Sequence, residues 1–207
     1  MAAPMRAESG EITAKATVPG DSSWFVALAH CILNANAKVA GIAQIPGAIP
    51  VIVEGLLRDG VGIVQLPCPE QTYGGCRRWG MTQKQYNVPK YRKHCRALLE
   101  DVVDQMEDYL RNDYEVIGIV GVDGSPSCGV DRTCVGYPGG EIASMRLLPE
   151  CSIVEGRDVF LECLMSMLHD RGVSIPAVGI DEALQEALSW AELSKKLCRC
   201  VGDRGTP

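Results

Sequence analysis

Hydrophobic runs alternate with helical patterns along most of the chain, and this alternation predicts an α/β fold. Four short runs rich in branched apolar residues have the composition of buried strands, at 24–30, 61–66, 115–122 and 175–180. Strands that alternate with helices usually lie side by side in one sheet. The four runs are therefore expected to form a single, mainly parallel sheet.

The segments between these runs carry helical patterns. Residues 49–57 are predicted to form a short helix, and apolar positions at helical spacing predict a long helix at 89–110. Residues 158–169 are apolar almost all round, as in a buried helix, and Asp181 is expected to cap a last helix that ends near Leu197. The resulting order predicts a compact Rossmann-like fold with helices on both faces of the sheet.

The same pattern predicts one domain with a tail at each end. Residues 1–22 are small and polar without periodicity, so a flexible N-terminal tail is expected. Residues 23–200 form the predicted single α/β domain, and residues 201–207 are the expected C-terminal tail. Within the domain, residues 130–155 are rich in Gly and Pro and are expected to be loop with short extended pieces.

The 207-residue chain carries ten cysteines and a formal net charge of −6. The acidic balance argues against an extended nucleic-acid surface. The chain shows no apolar run of membrane-spanning length and no signal-peptide pattern. A cytoplasmic protein without a membrane partner, as a monomer or a homodimer, is therefore expected. In that reducing compartment, clustered cysteines indicate metal binding or catalysis more than disulfides.

Three cysteines follow the carboxyl ends of three predicted strands, within a few residues: Cys31, Cys68 and Cys128. Open α/β sheets bind ligands at the carboxyl ends of their strands, so the three thiols are expected to meet at one edge. Their wide spacing along the chain fits neither a zinc ribbon nor a ferredoxin. Three thiolates with one open position are compatible with a [4Fe–4S] cluster or with a zinc ion that also binds water.

Polar residues next to these cysteines are candidates for acid–base chemistry. Glu70 lies just after the second cysteine, where a carboxylate could act on a bound substrate or, alternatively, cap a helix or form an ion pair. Ser125 and Ser127 flank Pro126, and serines in such turns either bond the backbone or position a water or substrate atom. The loop around Arg78 is basic and is either solvated or a recognition element for a phosphate or a base.

The remaining cysteines leave their roles open. Cys76 and Cys134 lie in predicted loops near two of the strand-end cysteines. Each could be a fourth ligand, a redox accessory or an incidental residue. Cys198 and Cys200 form a Cys-x-Cys pair at the end of the last predicted helix, which is too few donors for a tetrahedral site.

Several motifs resemble those of the thiouracil desulfidase family, and most closely those of its desulfidase-related branch. The resemblance covers roughly residues 24–185 and rests on separated motifs in the same order. They are HCILNANAKV at 30–39, QLPCPE at 65–70, GCRRW at 75–79, QYNVPKYRKHC at 85–95 and GVDGSPSCGV at 121–130.

The resemblance implies a Rossmann-like iron–sulfur domain that holds a [4Fe–4S] cluster on three cysteines, Cys31, Cys68 and Cys128. Family members remove sulfur from thiolated pyrimidines, and the substrate sulfur binds the iron that no cysteine holds. By the same resemblance, Glu70 and either Ser125 or Ser127 assist the attack of water. The chain departs from better-known members after its first cysteine, where residues 32–38 replace a Gly and an Arg-Tyr-Asp-Gly run. The identity of the substrate is therefore left open.

The main functional hypothesis is a cytoplasmic, [4Fe–4S]-dependent desulfidase that acts on a thiolated nucleobase or a similar small thiocarbonyl compound. Sulfur would leave as hydrosulfide. Two alternatives use the same three cysteines. One is an enzyme that inserts sulfur into a substrate. The other is a non-enzymatic protein that binds or senses a metal, and a fourth cysteine ligand would favour this second alternative. A globular α/β domain with incidental cysteines is the remaining alternative.

Overall fold

The computed structural model of the chain describes residues 12–13, 24–142, 151–184 and 189–202. The strands in this part are β1 (Ile12–Thr13), β2 (Trp24–Leu28), β3 (Gly62–Gln65), β4 (Glu115–Val122), β5 (Arg132–Val135), β6 (Ser152–Glu155), β7 (Val173–Ser174) and β8 (Ala177–Ile180). The helices are α1 (His30–Leu33), α2 (Pro50–Arg58), α3 (Pro69–Gly74), α4 (Gln83–Tyr86), α5 (Pro89–Arg111), α6 (Val159–His169) and α7 (Trp190–Gly202).

Four strands form the central sheet in the order β3-β2-β4-β8, and every neighbouring pair is parallel. β5 and β6 form a separate antiparallel hairpin, and β1 pairs with β7 in parallel. β2 is buried along its whole length, because a central parallel strand is covered on both faces. The predicted Rossmann-like α/β fold with a mainly parallel sheet is confirmed.

Right-handed crossovers place the helices on opposite faces of the sheet. α2 links β2 to β3 on one side, whereas α5 links β3 to β4 on the other side of β2, so the two helices cover different faces. α7 packs against α2, and α6 packs against α5. In the described part of the chain, no helix is both long enough and apolar enough to cross a membrane.

The core lies between the sheet and these helices. α5 contributes a buried stripe at helical spacing that contains Tyr91, Leu99, Val103 and Met106. The stripe meets the apolar side chains of the sheet in one continuous cluster. This packed base fixes the carboxyl ends of the central strands, from which the loops of the candidate site emerge.

The start of the last helix was predicted wrongly. Oδ1 of Asp181 accepts a hydrogen bond from the backbone N–H of Ala183 at 2.9 Å, and α7 begins only at Trp190. A short carboxylate side chain readily bonds the backbone two residues further on, so Asp181 forms a turn after β8 rather than a helix cap. β2 is also shorter than expected, because the chain turns into α1 at His30.

Parts of both expected tails belong to elements of secondary structure. β1 falls within the expected N-terminal tail and pairs with β7, Ile12 opposite Val173. α7 runs to Gly202, into the expected C-terminal tail. The other residues of 1–22 and residues 203–207 lie outside the described ranges.

Candidate functional site

Three candidate ligands meet at the carboxyl edge of the central sheet. Cys31 lies in α1 just after β2, Cys68 directly precedes α3 after β3, and Cys128 follows β4. These strands are neighbours in the sheet, so their carboxyl ends lie side by side. All three cysteines line one cavity of about 390 Å³.

A tight turn after β4 brings Cys128 to the cavity. The carbonyl of Cys128 accepts a hydrogen bond from the backbone N–H of Val122 at 3.0 Å, so the chain folds back onto the end of its own strand. Oγ of Ser125 accepts from the backbone N–H groups of Ser127 at 3.3 Å and Cys128 at 3.1 Å. A Cβ at Gly121 would lie 2.7 Å from a methyl group of Val130, so only glycine fits under this turn.

Burial raises the pKa of each strand-end thiol. It raises the pKa of Cys31 to about 11, although the nearby Lys38 ammonium lowers it. Burial also raises the pKa of Cys68, and it raises that of Cys128 well above the usual range, together with the charges of the other two thiols. The influence of Cys31 and Cys68 on Cys128 agrees with the place of all three in one cavity wall. A positively charged centre would be needed to deprotonate all three.

The chemistry of the three side chains suits a soft metal centre. Thiolates are the donors that both iron–sulfur clusters and zinc use. Within the described ranges, no group of three or more His, Cys, Asp or Glu side chains is already arranged to hold a metal ion. The type of donor therefore allows either centre.

Glu70 and Ser127 form a hydrogen-bonded pair beside these thiols. Oγ of Ser127 donates to Oε1 of Glu70 at 2.6 Å, and Oγ lies 3.7 Å from the sulfur of Cys128. Ser127 is fully buried and Glu70 is 8% exposed. Glu70 is placed here because α3 begins immediately after Cys68, with Pro69 in its first turn. Of the two candidate serines, Ser127 contacts the carboxylate, whereas Ser125 bonds the backbone of the turn.

A buried arginine holds the other side of Glu70. Nε and one terminal nitrogen of Arg78 lie 3.4 Å from Oε2 of Glu70, and that terminal nitrogen also donates to the carbonyl of Ala37 at 2.7 Å. The hydroxyl of Tyr86 is 3.4 Å from the same carboxylate oxygen. The sequence shows only that Arg78 lies in a basic loop a few residues after the Cys-Pro-Glu motif. It gives no other indication that Arg78 contacts Glu70.

The cations in the described cavity wall all have carboxylate partners. Lys38 forms an ion pair with Glu182, and burial lowers the pKa of Lys38. Arg132 bridges Asp123 at 3.5 Å and Asp181 at 3.0 Å. Burial also lowers the pKa of His30, which favours its neutral form at physiological pH. Most of the remaining wall is apolar, with side chains such as those of Val39, Ile42, Tyr137 and Ile142.

The other cysteines fall into separate places. Cys76 is exposed, and its sulfur accepts a hydrogen bond from the side-chain amide of Gln71 at 3.3 Å, outside the cavity. Cys95 and Cys163 are buried on α5 and α6. Two more cysteines, Cys134 and Cys151, line the cavity. The side chains of Cys198 and Cys200 lie outside the described part.

Comparison with known proteins identifies one relative of unknown function. Over 103 residues, half of this chain, the sequence is 38% identical to the uncharacterized protein MJ0003 of Methanocaldococcus jannaschii. The matched region spans 65% of the length of that archaeal protein. No family model and no solved structure matches the chain. The fold and the cavity are therefore the basis on which its function is argued.

Proposed function

We propose that the chain is an iron–sulfur-dependent desulfidase that removes sulfur from a thiolated nucleobase or a similar thiocarbonyl compound and releases it as hydrosulfide. The observation that carries the proposal is the pair formed by Ser127 and Glu70 beside three thiols that line one cavity. The motif resemblance to thiouracil desulfidases supports the same chemistry.

Three thiols would hold the cofactor of this enzyme: Cys31, Cys68 and Cys128. When a [4Fe–4S] cluster is bound there, its iron without a cysteine ligand supplies Lewis acidity toward the sulfur of a thiocarbonyl. The protein contributes thiols with raised pKa values, which must lose their protons as the cluster assembles.

Glu70 and Ser127 would supply the proton transfers. Replacement of sulfur by oxygen requires a water molecule to give its oxygen to the thiocarbonyl carbon and to lose its protons. Glu70 can accept one proton and return it to the departing sulfur, which leaves as hydrosulfide, while the second proton passes to solvent. The Ser127 hydroxyl donates to Oε1 of Glu70 and would hold that carboxylate in place for the transfer.

The charges of the cavity wall favour an uncharged substrate. Lys38, Arg78 and Arg132 are each paired with a carboxylate, which leaves the described wall without an unpaired cation for a phosphate. The apolar side chains beside them suit a planar heterocycle. A free thiolated base therefore fits this wall better than a nucleotide.

The cofactor assignment is tested by anaerobic purification with iron and sulfide counts. Cys31→Ala, Cys68→Ala and Cys128→Ala should each lose iron, and Cys76→Ala, whose sulfur lies outside the cavity, should retain it. Near-stoichiometric zinc without iron in the wild-type protein would contradict the proposal.

The catalytic assignment is tested with Glu70→Gln, which keeps the size of the side chain but removes its charge. Loss of an acid–base group typically costs about 10²- to 10⁴-fold in rate, so release of sulfide from thiouracil should fall by this amount while iron content is unchanged. Glu182→Gln is the matched control, because Glu182 is equally buried in the same wall and pairs with Lys38 instead. Equal kcat values for the two variants would remove Glu70 from the mechanism.

A further inference from the structure

A second group of thiols lies in the wall of the same cavity, on the hairpin of β5 and β6. In the hairpin register, Cys134 lies opposite Ile153. Cys151 precedes Ile153 by two positions. Cys134, Cys151 and Ile153 all line the cavity, whereas the intervening Ser152 is not part of the wall.

The two hairpin thiols are neighbours in the cavity wall. Burial and the nearby Cys151 thiol raise the pKa of Cys134 to about 12. Cys134 is half-buried, while Cys151 is exposed. Cys151 lies one residue before β6, outside the paired strands. Solvent therefore reaches Cys151, and both thiols face the cavity.

This pair is separate from the strand-end thiols. Apart from burial, the effects on Cys134 come from Cys151 and Asp158, not from the three candidate ligands of the cluster. Two neighbouring thiols that open to one cavity, with one of them reachable from solvent, form the usual arrangement of a dithiol that exchanges with disulfides.

We propose that Cys134 and Cys151 form a redox-active dithiol that, in its disulfide form, takes up hydrosulfide from the cavity and carries it as a persulfide. The supply of hydrosulfide rests on the proposed desulfidase function, whereas the dithiol does not depend on it.

Two reactions make up this cycle. In the first, a low-molecular-weight disulfide oxidises the pair: the bond between the sulfurs of Cys134 and Cys151 forms, and the small disulfide is reduced to two thiols. In the second, hydrosulfide attacks the sulfur of Cys134. The bond to Cys151 breaks, a new sulfur–sulfur bond forms on Cys134, and the electron pair leaves on Cys151 as a thiolate. Cys151 is the better leaving group because water reaches and stabilises its thiolate.

The experiment uses the full-length protein equilibrated with reduced and oxidised glutathione, then alkylated, digested and analysed by mass spectrometry. We expect a peptide pair joined by a Cys134–Cys151 disulfide and, after addition of sodium sulfide, one extra sulfur atom on Cys134. Cys134→Ser and Cys151→Ser should each abolish both products. Cys76→Ser, which alters an exposed cysteine outside the cavity, should preserve them.

Two results would overturn the proposal: glutathione adducts on both cysteines without a bond between them, or a disulfide that sulfide reduces without leaving sulfur on the protein. Iron content and sulfide release from thiouracil are measured on the same preparations. Persulfide formation without thiouracil turnover supports the dithiol and contradicts only the desulfidase function. Turnover without any Cys134–Cys151 disulfide contradicts only the dithiol.

Discussion

The two oxygens of the Glu70 carboxylate have different partners, and this difference fixes its orientation. Oε1 accepts a hydrogen bond from Ser127, whereas Oε2 faces Arg78 and Tyr86. Rotation of the carboxylate would break several contacts in a site that water barely reaches, where they are costly to lose. Arg78 is therefore a positioning residue for the proposed base, although it need not touch the substrate.

Arg78→Met should lower both the stability and the turnover of the protein. Removal of one partner of a buried ion pair leaves the other charge uncompensated and typically costs about 3–5 kcal/mol. The loss is measured as the change in unfolding free energy in urea, alongside the kcat and KM for thiouracil. A fall in kcat with little change in KM is expected, and Arg78→Lys should recover part of both losses.

Arg77 offers the matched control for this experiment. It precedes Arg78 in the chain and is exposed. Arg77→Met removes the same charge and should change the unfolding free energy by less than about 0.5 kcal/mol, as is usual for a surface substitution. If both variants behaved alike, the buried contact of Arg78 with Glu70 would have no special role.

Asp158 gives the stability of the protein an unusual dependence on pH. Its carboxylate accepts from the backbone N–H of Gly129 at 3.0 Å and from the hydroxyl of Thr133 at 2.5 Å, yet burial outweighs both and raises its pKa from 3.8 to about 7. Between these two values the native state keeps the proton and the unfolded state releases it. The native state then binds more protons, so this residue makes stability fall as the pH rises from about 4 to 7.

Asp158→Asn should remove this fall in stability. The amide carries no titrating proton, so the unfolding free energy of the variant should decrease less than that of the wild-type protein across this pH range. Urea unfolding at several pH values measures the difference. Asp170→Asn, at an exposed site after α6, is the control and should retain the wild-type slope. Parallel curves for wild type and Asp158→Asn would show that the carboxyl group titrates normally.

At the level of elements, segments with an apolar run or a helical stripe could be predicted, and helices of one or two turns could not. β4 matches its predicted range because a central parallel strand is a continuous apolar run, and α5 matches within one residue because its apolar stripe repeats over many turns. α3 and α4 were missed, since helices of 6 and 4 residues are too short to show a periodic pattern.

The contact between α2 and α7 predicts an unusual effect at Gly55. Alanine normally stabilises the interior of a helix relative to glycine by about 0.5–1 kcal/mol. Here a Cβ at Gly55 would lie 2.7 Å from Cγ of Trp190, so Gly55→Ala should instead destabilise the protein by about 1–3 kcal/mol. Thermal unfolding measures the sign.

A second substitution identifies the cause of this effect. Trp190 also donates to Oδ2 of Asp59 at 2.8 Å, which holds the indole against α2. The atoms of Trp190 nearest the added methyl group are its Cβ and Cγ, so in the Trp190→Gly background, which lacks both, the added cost of Gly55→Ala should shrink. An unchanged cost in that background would mean that the close packing is not responsible.

For the whole molecule, the chain order explains which parts of the site could be inferred from sequence. Cys31, Cys68 and Cys128 could be grouped because each follows a strand and parallel strands end at one edge. The ion pair of Lys38 with Glu182 and the thiol pair on the hairpin could not be inferred. Their partners come from distant or loop-rich segments, and only the folded chain brings them together.

This arrangement predicts that the fold survives removal of the proposed cluster. The three thiols have raised pKa values, so they return to the neutral form without iron and leave no unpaired charge in the cavity. The core between sheet and helices is a large apolar cluster, unlike the cores of small zinc domains that unfold without metal. Chelation should therefore lower the midpoint of thermal unfolding, because a bound group stabilises only the native state. The far-UV circular dichroism spectrum should stay unchanged when it is recorded at about 20 °C or below, roughly where proteins are most stable.

Cys31→Ala provides the comparison for the chelated protein. It should lack iron from the start, show the same far-UV spectrum, and melt at a temperature close to that of the chelated wild-type protein. Chelator should then have no further effect on it, whereas it should still lower the midpoint of Cys76→Ala. Collapse of the helical and sheet signals on chelation would mean that the metal centre is part of the folding core. In that case the metal centre would hold the carboxyl ends of β2, β3 and β4 together through the three thiols. This end of the sheet would then not be stable without the metal.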